Sequence, residues 1–111
     1  GVRPLALSDL QALTRPMGAH VVECAGNSDP DNFGLLSVAE WDGVPLDALL
    51  PRLAPGPSAY GVLVGGLDDE TGNARSSTPG ASWILPLDAP RARRAFLATR
   101  MNGAPQPREH G

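Results

Sequence analysis

The sequence predicts an α+β domain, a mixed sheet with short helices between its strands. Apolar segments of strand length alternate with short stretches in which leucines recur at helical spacing. Twelve prolines and 13 glycines among 111 residues punctuate these segments, so the elements are short and joined by turns. A chain of this length forms one domain or a part of one.

Leucines at helical spacing predict two short helices. The first begins near residues 8–9, a Ser-Asp pair typical of a helix N-cap, with Leu7 placed as a hydrophobic staple. The second covers 46–53 and follows Pro45, at a position where a helix tolerates proline. Pro51 lies inside this second pattern and is expected to shorten or kink the helix.

Apolar runs bounded by turn formers predict five strands. The strand at 17–25 has His20, Val22 and Cys24 on one face, because side chains alternate along a strand. The run at 59–67 has few polar breaks and predicts a strand covered on both faces. The other strands are predicted at 35–41, 82–87 and 95–101.

Turns and loops are predicted from local composition. Asp42-Gly43 and Asn102-Gly103 are hairpin dipeptides that are expected to close the strands before them. A polar run at 28–32 predicts a loop, and residues 88–94 predict a helical turn that begins at a proline.

Composition excludes several classes of function. The formal net charge of −3 gives no basic face for nucleic acid, so no nucleic-acid partner is expected. No apolar run approaches the ~20 residues that span a membrane. The single cysteine cannot form an internal disulfide, so the compartment is left open between cytoplasm and periplasm.

The functional prediction depends on Cys24, the single cysteine of the chain. It follows an apolar run and opens into a loop that contains Gly26 and Asn27. Soft thiolate sulfur is the ligand that redox-active transition metals prefer, whereas a lone buried cysteine is commonly core filler. A thiol-redox role is disfavoured because the chain has no second cysteine to resolve an oxidised intermediate.

Four segments, in order, resemble the molybdopterin-binding domain of the sulfite oxidase family. Cys24-Ala25-Gly26-Asn27 is similar to the segment that supplies the protein ligand to molybdenum in that family. The segment 39–46, Ala-Glu-Trp-Asp-Gly-Val-Pro-Leu, matches the family's alanine-x-tryptophan-x-glycine-valine-proline-leucine pattern. The third segment is 66–68, Gly-Leu-Asp, and the last is 101–105 with the His-Gly pair at 110–111.

The resemblance implies a sulfite-oxidase-type fold and a molybdenum-molybdopterin cofactor. It implies that Cys24 is the thiolate on molybdenum and the catalytic residue at the metal. Asp68 and His110 would hydrogen-bond the pterin or its phosphate, and Asn27 would shape the loop beside the metal. His20 has no counterpart in the family pattern and is interpreted as structural.

The chain departs from the family pattern in two respects. Arginines that form the sulfite pocket in sulfite oxidases are replaced here by Ser28-Asp29-Pro30-Asp31, and carboxylates repel a dianion. The chain is therefore expected to resemble the uncharacterised bacterial relatives of sulfite oxidase. Residues 1–111 are also expected to be part of one domain, lacking N-terminal and C-terminal segments that hold the cofactor in the family.

The sequence thus predicts a molybdopterin-dependent oxidoreductase that transfers an oxygen atom at molybdenum. Its expected partners are a small-molecule substrate and an external electron acceptor. The alternative is a cofactor-free fragment or association module of the same fold, in which an exposed apolar edge would favour self-association.

Overall fold

The α+β class is confirmed by a computed structural model, which describes residues 4–23, 31, 36–65 and 82–107. Within these ranges the two helices are α1, Leu7–Leu13, and α2, Leu46–Leu53, and a 3-10 turn covers Ala92–Arg94. None of the helices in the described part of the chain is long and apolar enough to cross a membrane. The six strands among the described residues are β1, Arg15–Glu23; β2, Leu36–Pro45; β3, Gly61–Gly65; β4, Ser82–Pro86; β5, Phe96–Met101; and β6, Ala104–Pro105.

The described strands form one four-stranded sheet and one two-stranded ribbon. The sheet has the order β1-β2-β5-β6, and the ribbon pairs β3 with β4. The sequence predicted a mixed sheet, and all four pairings among the described strands are antiparallel. β2 is the longest strand, with ten residues, and it lies between β1 and β5.

The hairpin predicted at Asp42-Gly43 is wrong, because β2 continues through both residues to Pro45. Asp42 pairs with Arg100 and Gly43 with Ala98, so β5 supplies the hydrogen bonds that extend the strand. The register shifts between Asp42 and Gly43, which marks a bulge rather than a turn. A local dipeptide signal is here overridden by pairing with a strand more than fifty residues away.

The core lies where β2 runs into α2. Val44 is completely buried, and Trp41, Leu46 and Leu49 are each less than 10% exposed. Ala92 brings the 3-10 turn against α2 and is 2% exposed. The backbone N–H of Leu46 donates to the carbonyl of Ala95 at 3.0 Å, which joins the start of α2 to the end of this turn.

The two predicted helices form, with corrections at their ends. The N-cap of α1 is Ala6 and not Ser8 or Asp9, because the Asp9 carboxylate accepts from the Ala6 N–H at 2.9 Å from inside the first turn. Leu7 is 68% exposed and so is not a buried staple. Its position at the start of α1 leaves it facing a groove described below.

Pro51 lies within α2, and the helix ends two residues beyond it. Pro51 has no N–H to donate to the carbonyl four residues earlier, so one helical hydrogen bond is lost. The helix stops at Leu53, and Ala54 takes the left-handed conformation at φ 46° while donating to the Leu50 carbonyl at 3.1 Å. α2 nevertheless covers the whole predicted range, 46–53, so the expected shortening by Pro51 is wrong.

The hairpin predicted at Asn102-Gly103 is confirmed. Both residues have positive φ, 50° and 76°, and they join β5 to β6. The turn is also tied to β2, because the Asn102 N–H donates to the Glu40 carbonyl at 2.8 Å and the Asn102 Oδ1 accepts from the Glu40 N–H at 3.0 Å.

The prediction that β3 is covered on both faces is wrong for the described residues. Leu63 is 70% exposed and Val64 is 49% exposed. On the partner strand β4, Trp83 and Ile84 are 67% and 52% exposed. The apolar run reflects cross-strand pairing of Leu63 with Ile84 and of Val64 with Trp83 within a ribbon, and not burial between layers.

Candidate cofactor-binding site

The four predicted site residues lie outside the described residues. These are Cys24, Asn27, Asp68 and His110. The structure does describe the strands that precede Cys24, Asn27 and Asp68, and these strands show where the segments with the three residues begin and end.

The segment with Cys24 and Asn27 begins and ends at one point of the sheet. β1 ends at Glu23, whose Cα partner across the strand pair is Leu36, the first residue of β2. Directly opposite residues in an antiparallel pair have Cα atoms about 4.5–5.5 Å apart. Residues 24–35 therefore form a connection whose two ends are neighbours, and Cys24 is the first residue after β1.

The segment with Asp68 is anchored in the same way. β3 ends at Gly65, which pairs with Ser82 at the start of β4. Residues 66–81 thus connect two neighbouring strand ends, and Asp68 is the third residue after Gly65. Each of the two segments with predicted ligands is therefore a long connection between two strands that pair with each other antiparallel.

His20 is held by structural contacts, which agrees with its interpretation from the sequence. Its Nε2 lies 2.8 Å from the carbonyl oxygen of Met17, and since a carbonyl oxygen only accepts, Nε2 carries the proton. The imidazole also lies against the ring of Phe96, with 5.2 Å between the ring centres. No cluster of three or more His, Cys, Asp or Glu side chains that could hold a metal occurs within residues 4–23, 36–65 and 82–107.

The ion pairs near the sheet are surface pairs. Arg100 Nε lies 3.6 Å from Asp42 Oδ2, and the Arg100 guanidinium also donates to the carbonyl of Gly103. Arg15 and Asp47 are 3.9 Å apart, with both side chains well over half exposed. Exposed pairs of this kind contribute about 0–1 kcal/mol each, so they do not organise a site.

Sequence reasoning missed an open groove of about 800 Å³ between α1 and the β5-β6 hairpin. The Thr14 and Thr99 hydroxyls lie 3.0 Å apart and join the two walls. The signal in the sequence is the i, i+3 spacing of Leu7 and Leu10, which puts two apolar side chains on one face of α1.

The residues present fit a metal cofactor held through sulfur. Cys24 is the only thiol of the chain, and it directly follows β1, which pairs with β2 between Arg15 and Glu23 except at a bulge at Met17. Soft thiolate sulfur suits a redox metal. The indole N–H of Trp41 is buried and has no hydrogen-bond partner among the described residues.

The family comparison identifies the class of domain that the fold alone leaves open. A family model described as the oxidoreductase molybdopterin-binding domain matches residues 2–111, so the chain belongs to that family. The predicted recognition is thereby confirmed. No protein with a curated description matches the chain significantly.

Proposed function

We propose that this chain is the cofactor-binding part of a molybdopterin-dependent oxidoreductase that acts by oxygen-atom transfer. The family match over residues 2–111 is the observation that carries the proposal. When bound, the cofactor supplies two-electron oxygen-atom transfer between the metal and a substrate. The residues of the chain bind and orient the cofactor and set the charge around it.

Cys24 is proposed as the protein ligand to molybdenum. A thiol binds a metal as the thiolate, so Cys24 gives up its proton when the metal is loaded. The pairing of Glu23 with Leu36 supports this role, because it fixes both ends of the connection that begins with Cys24. The entropy of bringing these two ends together is therefore offset by the strand pair and not by the cofactor.

The remaining ligands are proposed by donor and acceptor chemistry. Asp68, as a carboxylate, accepts hydrogen bonds and so suits the N–H groups of a pterin ring. His110 can donate to a phosphate oxygen. Asn27 is proposed to shape the loop next to Cys24, since asparagine side chains hydrogen-bond their own backbone in turns.

The substrate is proposed to carry less negative charge than sulfite. Asp29 and Asp31 follow the proposed metal ligand within seven residues, and Asp31 is exposed. Two unit charges 4 Å apart interact by about 4 kcal/mol at the effective dielectric constant near a protein surface. A carboxylate beside the metal therefore disfavours a dianion and not a neutral molecule. The electrons are proposed to leave to an external acceptor.

The experiment that tests the proposal is the molybdenum and pterin content of the chain. The protein is expressed in a host that makes the cofactor, and metal and pterin are measured per chain. A ratio near one supports the proposal. A ratio near zero, together with a particle size that rises with concentration, refutes it and favours the association module, for which exposed Val21 and Val38 are the supporting observation.

The ligand assignment has its own test. Cys24→Ser is expected to remove one sulfur from the molybdenum coordination shell, as measured by X-ray absorption at the molybdenum edge, and to abolish oxygen-atom transfer. Ser37→Ala is the matched control, because Ser37 is exposed on β2 opposite Val22. An unchanged sulfur count in the loaded Cys24→Ser protein contradicts the assignment.

A further inference from the structure

The turn between β5 and β6 contains Asn102-Gly103, the dipeptide in which an asparagine side chain is chemically least stable. The backbone nitrogen of the residue after an asparagine can attack the side-chain carbonyl carbon, and glycine hinders this attack least because it has no Cβ. Asn102 is the only asparagine of the chain that precedes a glycine. Both residues of the turn are exposed, so water reaches them.

The folded turn nevertheless holds the two reacting atoms apart. Asn102 has φ 50°, and a residue with a side chain at such a φ lies in the left-handed helical region. In that region the Cβ of Asn102 and the nitrogen of Gly103 lie on opposite sides of the Cα–C bond. Attack on Cγ therefore requires the backbone of Asn102 to leave the conformation on which the two-residue hairpin depends.

Hydrogen bonds on both residues keep the turn in this conformation. The Asn102 N–H donates to the Glu40 carbonyl at 2.8 Å, and Asn102 Oδ1 accepts from the Glu40 N–H at 3.0 Å. The Arg100 guanidinium donates to the carbonyl of Gly103. The first bond holds the backbone of Asn102, the second its side chain, and the third the glycine that would attack. Each bond of this kind disfavours opening of the turn by a factor of about two to ten.

We propose that Asn102 is a deamidation site that the native turn protects and that opening of the β5-β6 hairpin exposes. The Gly103 nitrogen loses its proton to solvent and bonds to Asn102 Cγ, while the Cγ–Nδ2 bond breaks and Nδ2 takes up a proton and leaves as ammonia. The product is a succinimide ring. Water that adds at Cγ opens the ring to aspartate, and water that adds at the backbone carbonyl carbon opens it to isoaspartate. The net reaction is hydrolysis of an amide, without a change of oxidation state.

The two products have different consequences for the fold. Aspartate keeps an oxygen that can accept from the Glu40 N–H, and it adds one negative charge to a chain of net charge −3. Isoaspartate adds a backbone carbon to a two-residue loop whose length fixes the register of the hairpin. In the described part of the chain β6 has only two residues, Ala104 and Pro105, to oppose that change. Isoaspartate is therefore expected to detach β6 from β5.

The test measures the deamidation rate at Asn102 in folded and in unfolded protein. The unmodified chain is incubated in mildly alkaline buffer, with and without enough urea to unfold it, and samples are digested with trypsin at intervals. Cleavage after Arg100 and Arg108 releases residues 101–108, in which mass spectrometry detects the replacement of NH2 by OH. The Asn102→Gly protein gives the background from Gln106 in the same peptide.

We expect the folded chain to deamidate at Asn102 at least about tenfold more slowly than the unfolded chain, because the turn must first open against its hydrogen bonds. Equal rates in the two states would overturn the proposed protection. In urea, Asn102 should react faster than the three asparagines that precede larger residues, Asn27, Asn32 and Asn73. A slower or equal rate at Asn102 in urea would overturn the assignment of the site.

Two variants of equal net charge test whether the hairpin controls the rate. R100Q removes the donor to the Gly103 carbonyl, whereas R94Q removes an exposed arginine from the 3-10 turn. The tryptic peptide of R100Q covers 95–108, and fragmentation localises the mass change to Asn102. In the folded state R100Q should raise the rate about three- to tenfold, and R94Q should leave it within about twofold.

Thermal unfolding verifies that both variants are folded at the incubation temperature. In urea, the two variants and the unmodified chain should react at the same rate, because the hydrogen bonds of the turn are absent there. Equal rates for folded R100Q and folded R94Q would show that the bond to Gly103 does not control opening, and would overturn this part of the proposal.

Discussion

Replacing Gly43 by alanine should destabilise the sheet, because the position has no room for a side chain. A Cβ built on Gly43 lies 2.5 Å from the carbonyl oxygen of Leu97 and 2.6 Å from Cδ2 of Phe96. Both distances are below 3.0 Å, which real Cβ contacts essentially never reach. The Leu97 oxygen belongs to the backbone of β5, so relief requires the two strands to separate.

The expected loss is about 3 kcal/mol of unfolding free energy. Overpacking of a buried site costs about 1–3 kcal/mol, and the upper end applies because backbone and ring are both obstructed. The better strand propensity of alanine offsets less than about 1 kcal/mol. For a domain of this size the midpoint of thermal unfolding should fall by about 10–20 °C.

Urea denaturation of the Gly43→Ala protein measures this loss, with Gly56→Ala as the matched control. Gly56 has no atom within 4 Å of an added Cβ and no positive φ, so its replacement should change stability by less than about 1 kcal/mol. Phe96→Ala in the Gly43→Ala background removes the ring but not the Leu97 oxygen, and it should not restore stability. A Gly43→Ala protein as stable as the unmodified chain would refute the close approach of β2 and β5.

Two further stability predictions follow from the same sheet. Val44→Ala should lower the unfolding free energy by about 2 kcal/mol, because Val44 is completely buried. Val38→Ala is the control, and at a 65% exposed position it should change the unfolding free energy by less than about 0.5 kcal/mol. Equal effects of the two substitutions in urea denaturation would contradict the core assignment. Asn102→Ala should lower the unfolding free energy by about 1–2 kcal/mol for two reasons. It removes the side-chain oxygen that accepts from the Glu40 N–H, and it places alanine at a positive φ that alanine disfavours. Asn102→Gly keeps the φ and loses only the bond, so it should cost less than the alanine variant, and the reverse order would contradict this account.

The features that the sequence predicted well are governed by local interactions. Asn102-Gly103 forms its hairpin because both residues tolerate positive φ, and this preference does not depend on the rest of the fold. The helix at 46–53 forms because its buried leucines recur at helical spacing.

The features that the sequence predicted wrongly depend on distant strands. Asp42-Gly43 has the composition of a turn, and only the pairing with β5 keeps it extended. The apolar run of β3 has the composition of a buried strand, and its exposure follows from a sheet order in which it pairs with β4 alone among the described strands. Composition records which side chains are apolar, but it does not record which other strand will lie beside them.

The candidate site depends both on local sequence motifs and on pairing between strands. Motifs in the sequence predict Cys24 and Asp68 as cofactor residues, because ligand chemistry depends on residue type and local order. The structure adds that the connections containing them begin and end at paired strand residues, Glu23 with Leu36 and Gly65 with Ser82. The strand pairs thus supply loop closure for both connections, and the cofactor does not have to bring their ends together. Weakening the β1-β2 pair should therefore lower the molybdenum content per chain even when Cys24 is intact.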